Sequence, residues 1–177
     1  ISFDIGPGNC LIDEWIKKHT RRDFDKWGMI AKSGNLDQNI LNKFLKIPYF
    51  KKKPPKSLDI KDFNLSRLKK LNLKNGTTTL SMLTTKAICF TVNSLIKYPN
   101  LILISGGGRK NKFIVDNIKK KLKCKIYLID KFNYNGDFIE SQAFAYLAIR
   151  SCLKKFISLP DTTGVKKPCL GGLIIKT

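Results

Sequence analysis

The stretch Leu101-Ile102-Leu103-Ile104-Ser105-Gly106-Gly107-Gly108 carries the reading of the fold. Four consecutive aliphatic residues and a small polar end predict a buried-type strand over 101–105. Three glycines interrupt it, and a helical pattern runs from about Asn111 to Lys123. Lys125–Ile129 reads as a second strand and Asp137–Phe156 as another helix. Alternating strands and helices of this kind imply an α/β fold with a parallel or mixed central sheet and helices packed on it. The missing Cβ atoms at Gly106, Gly107 and Gly108 let a flat ring or a phosphate lie against the backbone near a helix N-terminus. The run is not the dinucleotide fingerprint, because Lys110 and Asn111 fall where its third glycine would stand. It is not a P-loop either, because no Gly-Lys-Ser/Thr follows. A tight connection explains the same glycines, and both readings stay open here.

Toward the N-terminus, Thr77–Lys97 is the longest helical pattern, with Leu80, Leu83, Ala87, Phe90, Ser94 and Leu95 at helical spacing. Thr77–Thr79 offers an N-cap, although the threonines lower the intrinsic propensity. Shorter helices are expected over Leu11–His19, Leu36–Leu45 and Asn64–Leu71. A polar loop is expected over Asp23–Asn35 and an extended connection over Pro48–Ser57, where Pro54-Pro55 forbids helix. Ile1–Ile5 is strand-like and runs into the turn Gly6-Pro7-Gly8-Asn9. The tail from Leu159, with Pro160, Gly164, Pro168 and Gly171-Gly172, is read as ending in a strand. No internal repeat is visible.

The chain has 177 residues, enough for one domain with a real core. Its formal net charge is +21, which invites a nucleic-acid reading. The lysines are scattered over loops and solvent faces, however, and arginine, the usual base reader, occurs only at Arg21, Arg22, Arg67, Arg109 and Arg150. Specific nucleic-acid binding is therefore not expected, although a basic binding module remains the alternative from another class. Cys10, Cys89, Cys124, Cys152 and Cys169 form no Cys-x-x-Cys pair and read as free thiols of a reducing cytoplasm. With His19 the only histidine, a His-based triad or metal site is not expected. No apolar stretch approaches the roughly 18–20 residues of a membrane span, and no signal peptide is read at the N-terminus. The apolar run begins at Ile1 itself, which reads as a cut inside a larger protein or a processed end.

Two acidic positions could carry chemistry. Asp4 stands at a strand tip before a glycine turn, where a carboxylate can serve as a rigidly held general base or simply initiate the turn. Asp137-Phe138-Ile139-Glu140 reads as a capping box, with Glu140 at N3 reaching back to the backbone, or else Glu140 faces a cleft and bonds a polar ligand. Pro54-Pro55-Lys56-Ser57 is a rigid linker or places Lys56 and Ser57 at an anionic site.

Taken in order, these pieces resemble the C-terminal half of the anhydro-N-acetylmuramic acid kinase family. The resemblance rests on Phe3-Asp4-x-Gly6-Pro7-Gly8-Asn9 with Asp13, on Asp25-x-x-Gly28 with Ala31 and Ser33-Gly34, and on Pro48-Tyr49-Phe50. Pro54-Pro55-Lys56-Ser57 with Phe63-Asn64, Gly106-Gly107-Gly108-x-x-Asn111, Glu140 with Ala143-Phe144-Ala145, and Leu159-Pro160 with Thr163-Gly164 complete it. Four places depart from the family pattern. Ile5 replaces threonine, Leu58-Asp59-Ile60-Lys61 replaces Thr-Gly-Arg-Glu, Arg109-Lys110 replaces Ala-Arg, and Ser141 replaces alanine.

The resemblance implies that residues 1–177 are one lobe, the C-terminal one, of a two-lobed sugar kinase with an actin-like (ribonuclease H-like) ATPase fold. The N-terminal lobe with its phosphate loop would lie outside this chain, which would then have little activity alone or be an inactive structural fragment. It also implies hydrolytic opening of 1,6-anhydro-N-acetylmuramic acid and ATP-dependent phosphorylation of the freed O6, a step of murein recycling in a bacterial cytoplasm. By the same resemblance Asp4 is the general base, and Gly6, Asn9 and Glu140 contact the sugar. Gly106, Gly107, Gly108 and Asn111 hold the nucleotide, and Mg2+ bridges the phosphates without a protein metal site. The partners implied are ATP and the sugar, with room for a homodimer and none for a membrane.

Overall fold

The computed structural model describes residues 1–173 and 175. Along them run α1 (Cys10–His19), α2 (Met29–Lys32), α3 (Gln38–Leu45), α4 (Leu73–Asn93), β1 (Leu101–Ile104), α5 (Lys112–Lys121), β2 (Lys125–Leu128), α6 (Ile139–Cys152) and α7 (Pro160–Thr163). Short 3-10 turns over Lys26–Gly28, Pro48–Lys51, Leu65–Leu68, Gly107–Lys110 and Ile129–Phe132 join them, together with one at Ile60–Asp62.

The helix α4 is the scaffold. Asn72, not Thr77, starts it: its side chain accepts from the Asn75 N–H at 2.9 Å, so the helix begins four residues earlier than the threonines suggested. Those threonines are buried inside the helix. Thr77, Thr79 and Thr85 each donate to the carbonyl four residues back, at 2.7–2.9 Å, so their hydroxyls need no outside partner. The helices α1, α2, α3 and α5 pack around α4. Leu11, Ile12, Trp15 and Ile16 of α1, Leu41 and Phe44 of α3, and Ile114 and Ile118 of α5 meet Leu80 and Leu83 of α4 in the core. Each such side chain contributes about 1.5–3 kcal/mol on burial. At Gly76 a Cβ would sit 2.4 Å from the Trp15 indole, so this glycine lets the ring lie on the helix backbone. The indole N–H donates to the Leu73 carbonyl at 3.1 Å.

Among the described residues the sheet is two parallel strands, β1 and β2, joined through α5, with Leu101 opposite Lys125 and Ile104 opposite Leu128. Of the parallel or mixed sheet expected from the sequence, the described residues form a small parallel one within an α/β fold. Ile1–Ile5 joins no ladder. Ser2 donates to the Thr162 carbonyl at 2.7 Å and Asp4 to the Lys56 carbonyl at 3.1 Å, so the segment is tied to α7 and to a loop, neither of which offers it a strand edge. Leu101 and Leu103 stay 45% exposed, because among the described residues one face of β1 carries no covering layer. The helix α6 has no buried residue, and Phe144, Tyr146 and Ile149 stand open to solvent.

Three connections also differ from expectation. Pro48 opens a 3-10 turn instead of extended chain, Asn64 caps a 3-10 turn instead of a helix, and the loop read over Asp23–Asn35 contains a 3-10 turn and α2. Ser158 and Cys169 form an isolated antiparallel bridge in the tail. The strand read at the chain end falls partly on residues 174, 176 and 177, outside the described residues. No described helix is long and apolar enough to cross a membrane.

Candidate active site

Asp4 lines an open cavity of about 350 Å3 with Ser2, Pro55, Lys56, Ser57 and Thr163. Its carboxylate is exposed. One oxygen, Oδ2, accepts from the Leu58 N–H at 2.8 Å. The Asp4 backbone is fixed on both sides, its N–H by the Lys56 carbonyl and its own carbonyl by the Tyr49 hydroxyl. Tyr49 is buried, and that burial, with Asp4 and Asp62 nearby, pushes its phenol up. Burial, reinforced by Lys52, pushes the Lys56 ammonium down. This ammonium lies 4.5 Å from the centre of the Tyr49 ring and donates to the Tyr49 carbonyl at 3.3 Å. Gly164, at φ +72°, packs closely on Pro55, where a Cβ would overlap the ring. The cavity can therefore hold a small polar molecule beside a fixed, solvent-reached carboxylate.

A second cavity, of about 470 Å3, opens at the N-terminus of α1. Asn9 and Asp13 line one part of it, Phe24, Asp25, Lys26 and Trp27 another, and Gly107, Lys110 and Asn111 the rest. Gly106 takes φ +72°, ψ −177°, a conformation glycine reaches and other residues avoid. A Cβ at Gly106 or Gly107 would meet nothing within 4 Å, so this backbone faces open space that a ligand can fill. At Gly108 a Cβ would come within 3.8 Å of the Asn9 amide. The buried Asn111 caps α5, its Oδ1 accepting from the Ile114 N–H at 3.2 Å. The buried Asp25 carboxylate is consumed by the Ile30 and Ala31 N–H groups, at 2.8 and 2.9 Å. Asp13 is different: burial, with Asp25 and Asp23 nearby and Lys17 opposing, pushes its carboxyl up to about 6.

Arg109 locks the glycine bend to the elements behind it. Its side chain is buried and donates to Asp130 at 2.7 and 3.1 Å, to Asp137 at 2.7 Å and to the Gly106 carbonyl at 3.0 Å. Gly136 leaves room for it, since a Cβ there would overlap the guanidinium. Asp137 also accepts from Lys110 at 2.8 Å. The capping box expected at Asp137 and Glu140 is therefore corrected: α6 starts at Ile139 after Phe138, and the Asp137 carboxylate is held by cations instead.

The structure brings Asn9, Gly107, Gly108 and Asn111 around one cavity and Asp4 to another. Gly6 is a packing glycine, where a Cβ would lie 2.8 Å from the Ala87 Cβ. Glu140 is exposed in the first turn of α6 and lines neither cavity. Sequence reasoning missed Phe24 and Trp27 as lining residues and the Asp130 arm of the arginine lock. An aromatic directly before Gly28 in a polar loop was the available signal. Among the described residues no group of three or more His, Cys, Asp or Glu side chains could hold a metal ion.

The family model for anhydro-N-acetylmuramic acid kinase matches residues 1–177. The chain belongs to the anhydro-N-acetylmuramic acid kinase family. It is 46% identical to the anhydro-N-acetylmuramic acid kinase of Pelagibacter ubique, over 99% of this chain and 48% of that protein. The kinases of that name from Zymomonas mobilis and Methylorubrum populi are each 36% identical over 98% of the chain, and it covers 48% and 46% of them. The chain spans about half the length of the curated relatives it matches.

Proposed function

We propose that this chain supplies the C-terminal lobe of an ATP-dependent kinase of actin-like fold acting on 1,6-anhydro-N-acetylmuramic acid. Asp4 takes a proton from water, whose oxygen attacks the anomeric carbon. The bond from that carbon to the bridging O6 breaks, and the freed O6 takes the γ-phosphoryl group of ATP, giving N-acetylmuramic acid 6-phosphate and ADP. The observation that carries the reading is the Asp4 carboxylate, held by one backbone donor and open to a cavity. A fixed base at hydrogen-bond reach of a bound water needs that combination of rigidity and access.

The open backbone at Gly106 and Gly107 fits a nucleotide, because nothing of the protein occupies the space their missing Cβ atoms leave. Bound ATP supplies the phosphoryl group, and Mg2+ bound with it would neutralise the charge on its phosphates. Gly6 and Asn9 contact the sugar in this reading, Asn9 from the wall of the nucleotide cavity and Gly6 while it holds the turn against α4. Glu140 contacts the sugar in this reading, which requires a lobe outside this chain to complete the cleft around α6. The setting is murein recycling in the cytoplasm, with room for a homodimer. A nucleic-acid role is not favoured by either cavity.

Asp4→Asn tests the reading in this chain joined to the N-terminal half of a relative. Sugar turnover is expected to fall by about 10²–10⁴-fold, the share a general base supplies, with folding retained because the side chain is exposed. Unchanged turnover would overturn the base assignment. The 177 residues alone are expected to turn over sugar weakly, and full activity from them would contradict the two-lobe arrangement.

A further inference from the structure

Trp27 sits where the backbone disfavours a large side chain. Its φ is +61° with ψ 10°, in the left-handed region that bulky L-residues avoid. Core packing does not compensate for that conformation. The indole is 46% exposed, whereas the chain's other tryptophan, Trp15, is buried. Trp27 lines the cavity that contains Gly107, and Phe24, 57% exposed, lines it too. The same space thus has aromatic rings open to solvent and a glycine backbone with nothing in front of it. Apolar rings left uncovered inside a concave site are the usual means of holding a flat ligand. Residues in costly conformations persist where the surrounding structure holds them for a purpose.

We propose that Trp27 is the platform on which the nucleotide's purine base stacks, with Phe24 as a second apolar contact. This rests on the reading of the cavity as the nucleotide site. Stacking uses the π-face that every base has, so the platform supplies affinity without choosing between purines. ATP and GTP are held with similar strength by this contact, and a phosphate chain without a base gains nothing from it.

The experiment is calorimetric titration of the 177-residue chain with ATP, GTP, adenosine and inorganic tripolyphosphate, with tryptophan emission followed in parallel. Trp15 is buried, so quenching on binding reads Trp27. ATP, GTP and adenosine are expected to quench it, and tripolyphosphate is not. Trp27→Gly is expected to weaken ATP about tenfold or more and to leave tripolyphosphate unchanged. The same substitution suits the left-handed backbone, so it is expected to raise the melting temperature while it weakens binding. Misfolding cannot produce that pair of changes. Trp27→Phe is expected to keep most of the affinity. Gly107→Val, which fills the cavity wall, separates the two ideas. If it abolishes ATP binding while Trp27→Gly leaves ATP within twofold, the platform is wrong and the nucleotide site stands. If wild-type chain binds neither ATP nor adenosine, or if Gly107→Val leaves ATP binding intact, the nucleotide reading falls and the platform with it.

Discussion

Arg109 donates from Nη1 to the Asp137 Oδ1 at 2.7 Å, across 28 residues of chain. The same guanidinium grips Asp130 through two nitrogens, so the bend after β1, the turn after β2 and the approach to α6 share one cation. Side-chain hydrogen bonds from Arg109 are the main reason that both carboxyls lie below the usual carboxylate range, with Lys110 adding to the effect at Asp137.

The lock predicts an acid limb in stability. Carboxyls depressed in the folded state stabilise it fully above the unfolded carboxylate range near pH 4, and that contribution is lost as pH falls through their folded values. Arg109→Gln removes the difference between the two states. Urea midpoints from pH 7 down to pH 2 should fall less steeply in the variant than in wild type. Parallel curves would mean that the guanidinium does not hold the carboxylates in solution.

Asp13 predicts the opposite slope. Its carboxyl titrates at about 6 in the fold, above the unfolded value near 4, so the native state binds the extra proton between those pH values. Stability therefore declines as pH rises from about 4 to 6 and stays lower above that. Asp13→Asn, which cannot ionise, is expected to raise stability at pH 7–8 by about 1–2 kcal/mol, after allowing for the solvent that still reaches the group. Equal stability of variant and wild type at pH 8 would refute the assignment.

Gly76→Ala sets two effects against each other. Alanine gains about 1 kcal/mol of helix propensity over glycine. The new methyl would stand 2.4–2.6 Å from atoms of the Trp15 indole, a buried ring with no free direction of retreat. Overpacking of that kind costs about 1–3 kcal/mol, so net destabilisation is expected in a denaturant titration. A stabilised variant would show that the indole moves freely on α4.

Tyr49→Phe removes the hydroxyl that the Asp4 carbonyl accepts from, in a buried position of otherwise unchanged shape. Stability should drop by about 1 kcal/mol, the net worth of such a bond. In the two-lobe protein kcat should fall more than KM changes, because the catalytic carboxylate loses its backbone anchor while the cavity keeps its walls. An unchanged kcat would show that the Lys56 and Leu58 contacts suffice.

Much of the helical framework was legible in the sequence because its driving force is periodic burial. Leu11, Ile12, Trp15 and Ile16 announce α1, and Ile114 and Ile118 announce α5. The Gly106–Gly108 bend and its place after a strand were legible for the same local reason. What escaped depends on partners distant in the chain. Ile1–Ile5 has strand composition, yet a ladder needs an edge, and Lys56 and Thr162 offer single carbonyls only. Asp137 has the pattern of a helix cap, yet Arg109 competes for it with a stronger, charge-assisted bond. The aliphatic run of β1 suggested burial, and it remains partly uncovered. Asp4 was legible as a position, but its exposure and its Leu58 donor were not, because they come from a loop more than fifty residues away.

The contacts of α4 have a mechanical consequence. Thr84 of that helix donates to the Gly8 carbonyl at 2.6 Å, Ala87 abuts Gly6, and Thr78 donates to the Ala31 carbonyl at 2.7 Å. The turn after Asp4 and the segment after Asp25 therefore hang from one rod, two turns apart along its length. A shift of α4 by a fraction of an ångström would tilt both cavities together, so distortions introduced far from either opening would surface as lost registration between them.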